Sequence, residues 1–175
     1  VADVVRDDTI FEIQTSSFSG LERKMRALAD QNPVVLVHPI AAQKNLVRIK
    51  DPASGDFTRR KSPKKGKLCH ILSELVYLPS LLNHPNFSVE VALIEEEQHS
   101  IYDPKARRGR GGWRTRGRHL VELLEQLRIN DVHDLLQFVQ KPLAATFSVQ
   151  DLAAAMQQPV SVSYTHLTLP TNLSV

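Results

Sequence analysis

The chain of 175 residues is long enough for one domain or two small ones, and its hydrophobic content of 42% is sufficient for a buried core. It contains neither an apolar run of about 18 residues nor a signal-peptide pattern at its start, which argues against a membrane span and against secretion. The single cysteine, Cys69, excludes an internal disulfide, and together these features predict a cytoplasmic protein.

The net charge of +3 conceals two strongly basic segments on a chain that is otherwise acidic overall. Residues 59–67 (RRKSPKKGK) and 105–118 (KARRGRGGWRTRGR) contain many lysines and arginines and no acid. Segregated basic segments indicate contact with a polyanion such as nucleic acid. The alternative interpretation is that both are solvated loops without a partner.

The first predicted elements are two short strands, residues 2–6 and 9–14, joined by Asp7-Asp8 as a two-residue hairpin turn. A helix near 19–30 follows, with Ser19 and Glu22 spaced as a capping box. The apolar run VVLVHPI (34–40) then predicts a strand covered on both faces. Because a helix connects it to the preceding strand, the two strands are expected to pair in parallel.

The remaining pattern predicts an α+β chain (an α/β core) with a mixed sheet and a C-terminal helical region. Segments 45–50 and 56–61 flank the turn sequence DPASG and predict a hairpin. Apolar spacing predicts a helix at 67–78 and a strand at 87–97. Further helices are predicted at 118–129, 132–139 and 147–159, the last capped by Ser148.

The first hairpin contains a candidate metal site. With a two-residue turn, directly opposite residues place Asp3 against Glu12, and Gln14 shares the face of Glu12. Facing carboxylates repel each other unless a cation or proton lies between them. Two carboxylates and a polar neighbour suit Mg²⁺ and phosphodiester cleavage. The alternative is an exposed hairpin whose acids face water.

The order ADVVRDDTIFEIQ, helix, VVLVHPI resembles the core of the PD-(D/E)xK nucleases, which have the restriction-endonuclease-like fold. The resemblance implies that Asp3 and Glu12 are metal ligands and that all three polar residues are catalytic, with Gln14 at the position usually held by lysine. Glutamine carries no charge, so the resemblance implies either a lower rate or a purely positioning role for Gln14. Residues up to about 155 also resemble an uncharacterised prokaryotic domain family containing EIQT…FSGL…VVLVHPI…RRKSP.

The resemblance divides the chain into a partial, truncated nuclease-like core at 1–50 and a strand and helix extension at 51–104. A basic Arg/Gly loop at 105–117 precedes a helical region at 118–160, whose segment FSVQDLAAAM resembles the first helix of a winged-helix module. The sequence VSYTHLTLPT (162–171) resembles a translated sequencing adapter, so residues 161–175 are expected to be an artefactual tail.

Three functions are consistent with these features: a Mg²⁺-dependent DNA nuclease, a nucleic-acid-binding protein without catalysis, and a protein-interaction domain. Tryptophan stacks on unpaired bases, whereas arginine and lysine contact phosphates. Trp113 could equally anchor its loop to the body of the protein. The predicted nucleic-acid contacts are Arg59, Arg60, Lys61, Lys64, Lys65, Arg107, Arg108, Arg110, Trp113 and Arg114.

Overall fold

The computed structural model describes residues 2–51, 55–103 and 112–160, which form two compact units. The first unit comprises the residues up to Pro39, Leu68–Val91, and those from Leu127 onward; the second comprises Ile40–Lys67 and Ala92–Gln126. The predicted tail at 161–175 lies outside the described residues. None of the helices in the described ranges has the length and apolarity needed to cross a bilayer.

Within the described residues, six strands and a few short helices confirm the α+β class. The sheet is mixed, with strand order β1-β2-β3-β5-β6 and with β4 paired to β3. The strands are β1 Val4–Arg6, β2 Thr9–Ile13, β3 Val34–Asp51, β4 Asp56–Lys61, β5 Phe87–Tyr102 and β6 Trp113–Ile129. The α-helices are α1 Glu22–Ala29, α2 Leu72–Leu75 and α3 Val149–Met156, with 3₁₀ turns at Leu68–Ile71 and His133–Phe138.

The first hairpin has the predicted register. Val4 pairs with Phe11, Val5 with Ile10 and Arg6 with Thr9 in an antiparallel ladder. Asp7 and Asp8 have φ angles of 48° and 62°, as a type I′ turn requires at both central positions. Aspartate tolerates this left-handed conformation better than most residues, which explains why the pair can close the turn.

The predicted parallel pairing is also confirmed. β2 lies beside β3 with Ile10 opposite Val34 and Ile13 opposite Val37, and α1 forms the crossover between them. The predicted capping box of α1 is wrong, because Leu21 is the N-cap residue and no side chain caps the helix. Gly20, with φ of +81°, turns the chain between Ser19 and the first helical turn.

The core of the first unit is built from large apolar side chains of helices α1, α2 and α3, of strand β3 and of connecting segments. α3 has the predicted Ser148 cap, in a reciprocal capping box with Asp151, and the hydrogen bonds from Ser148 lower the pKa of the Asp151 carboxyl. Burial of such side chains supplies the main stabilising free energy of a small unit. Fully buried members include Phe18, Met25, Leu36, Leu72, Leu75, Leu135 and Leu152.

Several elements differ in length from the prediction. Segments 34–40 and 45–50 form one strand of 18 residues, because β3 pairs first with β2 and then with β4. The β3–β4 hairpin around DPASG is confirmed, with Asn45 opposite Lys61. Of the helix predicted at 67–78, only a 3₁₀ turn and the short α2 form.

The helix predicted at 118–129 is wrong, since these residues belong to β6. The leucines recur at helical spacing, but a backbone hydrogen bond from Asp103 N to Gly112 O closes the connection between β5 and β6. Strand pairing therefore overrides local preference. As a result Leu120, Val121, Leu123 and Leu124 are 40–66% exposed. Trp113 begins this strand and does not lie in a loop.

Gly66 is required by a close backbone approach. An added Cβ would lie 2.3 Å from Ile40 Cγ2 and 2.7 Å from Ala41 O, and Gly66 N already donates a hydrogen bond to that oxygen at 2.8 Å. We expect Gly66→Ala to lower the free energy of unfolding by about 1–3 kcal/mol through overpacking, measured by urea denaturation.

Gly117→Ala is the matched control for this prediction. The nearest atom to its added Cβ is His119 Nε2 at 3.7 Å, an ordinary contact. Equal decreases in stability for the two variants would contradict the steric explanation and leave only a general effect of replacing glycine.

Candidate metal site and nucleic-acid surface

Glu12 is a buried acid between β2 and α1. Glu12 shares the covered face of β2 with Ile10 and is only 6% exposed. Lys24 of α1 places its Nζ 2.6 Å from Glu12 Oε2. Within the described part of the chain, Glu12 Oε1 is a buried oxygen without a hydrogen-bond partner. One half of the carboxylate is thus neutralised, and the other half has an unsatisfied lone pair at a cost of about 1–3 kcal/mol.

Lys24 was missed in the sequence, although a signal was present. It lies three residues after Leu21 and four before Leu28, so helical spacing puts it at the edge of the stripe that the buried Met25 and Ala29 form. A lysine at this position can reach both solvent and a carboxylate of the sheet. Its ammonium brings a positive charge to Glu12 from the helix, whereas Gln14 after the strand is uncharged.

Asp3 lies just before β1, which begins at Val4. Continuing the ladder by one pair sets it opposite Glu12, but its Oδ2 accepts a hydrogen bond from Ile13 N at 2.9 Å. That contact satisfies a backbone N–H beyond the end of β1. Asp3 is an exposed residue. Its Oδ2 has a structural role in the hydrogen bond from Ile13 N, and its other carboxylate oxygen takes no part in that bond.

Gln14 follows β2, and its amide nitrogen has defined partners. Nε2 donates to Ser16 Oγ at 2.9 Å and to Ser17 O at 2.8 Å. Both N–H donors are therefore used within the following turn, which leaves the side-chain carbonyl oxygen as the available group. The oxygen of Gln14 can accept a hydrogen bond from a water molecule or bind a hard cation, whereas its amide has no N–H donor left for a phosphate.

Structural roles for His38 and Glu74 were not predicted from the sequence, and both side chains make hydrogen bonds to the backbone that follows β2. His38 Nδ1 donates to Gln14 O at 2.6 Å, and its ring packs edge-on against Phe18 at 5.0 Å. Glu74 Oε2 accepts a hydrogen bond from Phe18 N at 2.8 Å. Burial lowers the pKa of His38, against the hydrogen bond to Gln14 and the charge of Glu74, so the imidazole is neutral at pH 7.

The donor set suits a hard divalent cation with few protein ligands. No group of three or more His, Cys, Asp or Glu side chains that could hold a metal occurs within residues 2–51, 55–103 and 112–160. Mg²⁺, however, commonly takes one or two carboxylates and keeps several waters. The oxygens that could contribute are Glu12 Oε1, the second oxygen of Asp3 and the side-chain carbonyl of Gln14.

The predicted nucleic-acid residues have different environments. Arg59 lies 2.5 Å from Glu97 Oε1, and Arg114 lies 3.7 Å from Asp103 Oδ2, so both guanidinium groups have carboxylate neighbours. Arg107, Arg108 and Arg110 lie outside the described residues. Side chains that project into solvent on or after β4 are those of Arg60, Lys61, Lys64 and Lys65.

Glu95, Glu96 and Glu97 of strand β5 all have polar or charged partners. Glu95 accepts from Asn45 Nδ2 at 2.9 Å, and the buried Glu96 lies 2.6 Å from Lys44 Nζ. Glu97 contacts His99 and Arg59, and the hydrogen bond from His99 is the main cause of its lowered pKa. These cross-strand pairs hold the polar sheet of the second unit together.

Comparison with known proteins gives a family but no activity. An uncharacterized protein of Treponema pallidum (strain Nichols) is 30% identical over 154 residues, which is 87% of this chain and 61% of the relative. The chain thus spans less than two thirds of that relative's length. No solved structure matches the chain significantly. A family model described as Domain of unknown function (DUF8091) matches residues 1–130, and the chain belongs to this family.

Proposed function

We propose that this protein is a metal-dependent, nuclease-like protein that acts on phosphodiester bonds of DNA, with Mg²⁺ held by Asp3 and Glu12. The observation that carries the proposal is the state of Glu12: a buried carboxylate with one oxygen on Lys24 and the other without a hydrogen-bond partner in the described structure. Resemblance of the strand, helix and strand order to the PD-(D/E)xK core supports it. A bound Mg²⁺ would stabilise phosphate charge and acidify water.

The chain's own residues would position these reactants. Lys24 holds Glu12 in place at 2.6 Å, and its half-exposed ammonium can also attract a phosphate group. The Gln14 carbonyl oxygen would accept a hydrogen bond from the attacking water and so orient it. His38 keeps the backbone of Gln14 in place through its hydrogen bond to Gln14 O.

A second candidate function is nucleic-acid binding without cleavage. The short Lys24–Glu12 contact favours it, because an ion pair already neutralises part of the negative charge that would attract a cation. Both candidates share the exposed basic residues of the second unit, and they differ only in whether a divalent ion binds beside Glu12.

Removal of either proposed ligand should abolish cleavage without loss of binding. We expect Asp3→Asn and Glu12→Gln each to lower the rate of Mg²⁺- or Mn²⁺-dependent cleavage of a labelled DNA by at least about a hundredfold. Gln14→Ala should lower the rate less, because it removes only an orienting group. The rates are measured at equal occupancy of protein by DNA.

Asp7→Asn is the matched control, because it changes an exposed aspartate of the same hairpin at a turn position that asparagine also accepts. Its rate should equal that of the unchanged chain. A chain that binds DNA but cleaves nothing with either ion would favour the second candidate.

DNA affinity should depend steeply on salt if the exposed basic residues contact phosphates. We expect joint replacement of Arg60, Lys61, Lys64 and Lys65 by alanine to flatten the plot of log affinity against log salt. The slope should become shallower by about 0.9 for each phosphate of duplex DNA that the variant no longer neutralises. Fluorescence anisotropy at several salt concentrations measures it.

The control variant Glu12→Gln should leave the slope of log affinity against log salt unchanged, because Glu12 is not one of the exposed basic residues. An unaltered slope in the variant with all four alanine replacements would show that residues 60–65 do not contact the phosphates of DNA.

A further inference from the structure

The sheet of the second unit has a cleft that the proposed function does not use. Its volume is about 330 Å³, within the range of small-ligand sites, and it opens beside strands β3, β5 and β6. The side chains that matter are Arg48, Gln98, Ser100, Trp113, Thr115 and Arg118. Cations, hydroxyl and amide groups and one aromatic ring therefore line the same concave surface.

Arg48 and Arg118 both line this cleft and have no ion-pair partner in the described part of the chain. No carboxylate of the described residues lies within 4.0 Å of either guanidinium group. Cations that do have such a neighbour are Lys44, Lys50, Arg59 and Arg114. Two arginines without acid partners around one cleft make it suitable for an anion.

Arg48 is held in place by the indole of Trp113. Its guanidinium carbon lies 5.0 Å from the ring centroid, and Tyr102 contacts the same indole edge-on at 5.8 Å. A cation–π contact uses none of the N–H donors of a guanidinium group, so these donors stay available to bind an anion such as a phosphate.

The floor of the cleft can recognise a base edge. Gln98 Nε2 donates to Thr115 Oγ1 at 3.3 Å, which leaves the amide carbonyl oxygen as an acceptor. Ser100 is buried with a hydroxyl group that can donate or accept. A planar heterocycle beside Trp113 would find both a stacking surface and polar partners here.

We propose that this cleft binds one nucleotide of a single-stranded nucleic acid, with the phosphate on Arg48 and Arg118 and the base against Trp113. A duplex conceals the faces of its bases, so the site selects an unpaired strand. The inference deepens the proposed function by naming its substrate class, and it rests on nucleic-acid binding but not on cleavage.

The test uses the intrinsic fluorescence of Trp113, the single tryptophan of the chain. The unchanged chain is titrated in EDTA at fixed salt with a dT12 oligonucleotide, a 12-base-pair duplex, dTMP and inorganic phosphate. We expect dT12 to quench the emission and to bind at least tenfold more tightly than the duplex, dTMP or phosphate.

Arg118→Gln should weaken dT12 binding at least tenfold, and because Arg118 is exposed the variant should fold normally. Arg48→Leu should weaken it similarly. Arg116→Gln is the matched control on the same strand, since Arg116 is exposed and does not line the cleft, and it should change affinity less than twofold.

Each other result overturns part or all of the proposal. Absence of quenching by dT12 rejects the cleft, and equal affinity for inorganic phosphate reduces it to an anion site. Equal affinity for dTMP rejects the single strand in favour of a free nucleotide. Glu12→Gln should leave the quenching by dT12 unchanged, because the titration is made without a divalent ion. Cleavage of DNA without quenching would reject this inference but not the proposed catalysis. Quenching without cleavage would reject the proposed catalysis but not this inference.

Discussion

The parallel pairing of β2 with β3 under the crossover helix α1 is the constraint on which the candidate metal site depends. It fixes the register at Ile10–Val34 and turns the alternate residues of β2 toward the helix. Glu12 is therefore buried, and the next residue of that face is Gln14. Since α1 must cover this face, Lys24 can reach Glu12 Oε2, and the acid is tolerated in an apolar setting.

Local signals in the sequence predicted much of this region. Alternation and a two-residue turn were sufficient for the β1–β2 register, and a helix between two strands was sufficient for parallel pairing. Lys24 was not predicted as a partner of Glu12, because the pattern gives the face of a helix but not which strand residue lies beneath each position. The capping box failed because Gly20 turns the chain between its two members.

The second unit was harder to predict because its strands are polar and long. β6 carries leucines at helical spacing, and only its pairing with β5 makes it a strand. Charged residues of this unit form ion pairs between strands, as Glu96 does with Lys44. In the sequence such residues cannot be told from charged residues of a solvated surface, because their partners lie far away along the chain. Arg48 and Arg118 come together only because strands β3 and β6 border the same cleft, which no pattern in the chain reveals.

The central claim is that the carboxylates of Glu12 and Asp3 hold a divalent cation, and Mn²⁺ binding followed by electron paramagnetic resonance tests it most directly, because Mn²⁺ can occupy oxygen sites that suit Mg²⁺. The account predicts one site in the unchanged chain that Mg²⁺ displaces, that Glu12→Gln and Asp3→Asn abolish, and that Asp7→Asn retains. Lys24→Met should bind Mn²⁺ more tightly, since removal of the ammonium frees Glu12 Oε2. Unchanged Mn²⁺ binding in Glu12→Gln, or no binding by the unchanged chain, would contradict the account.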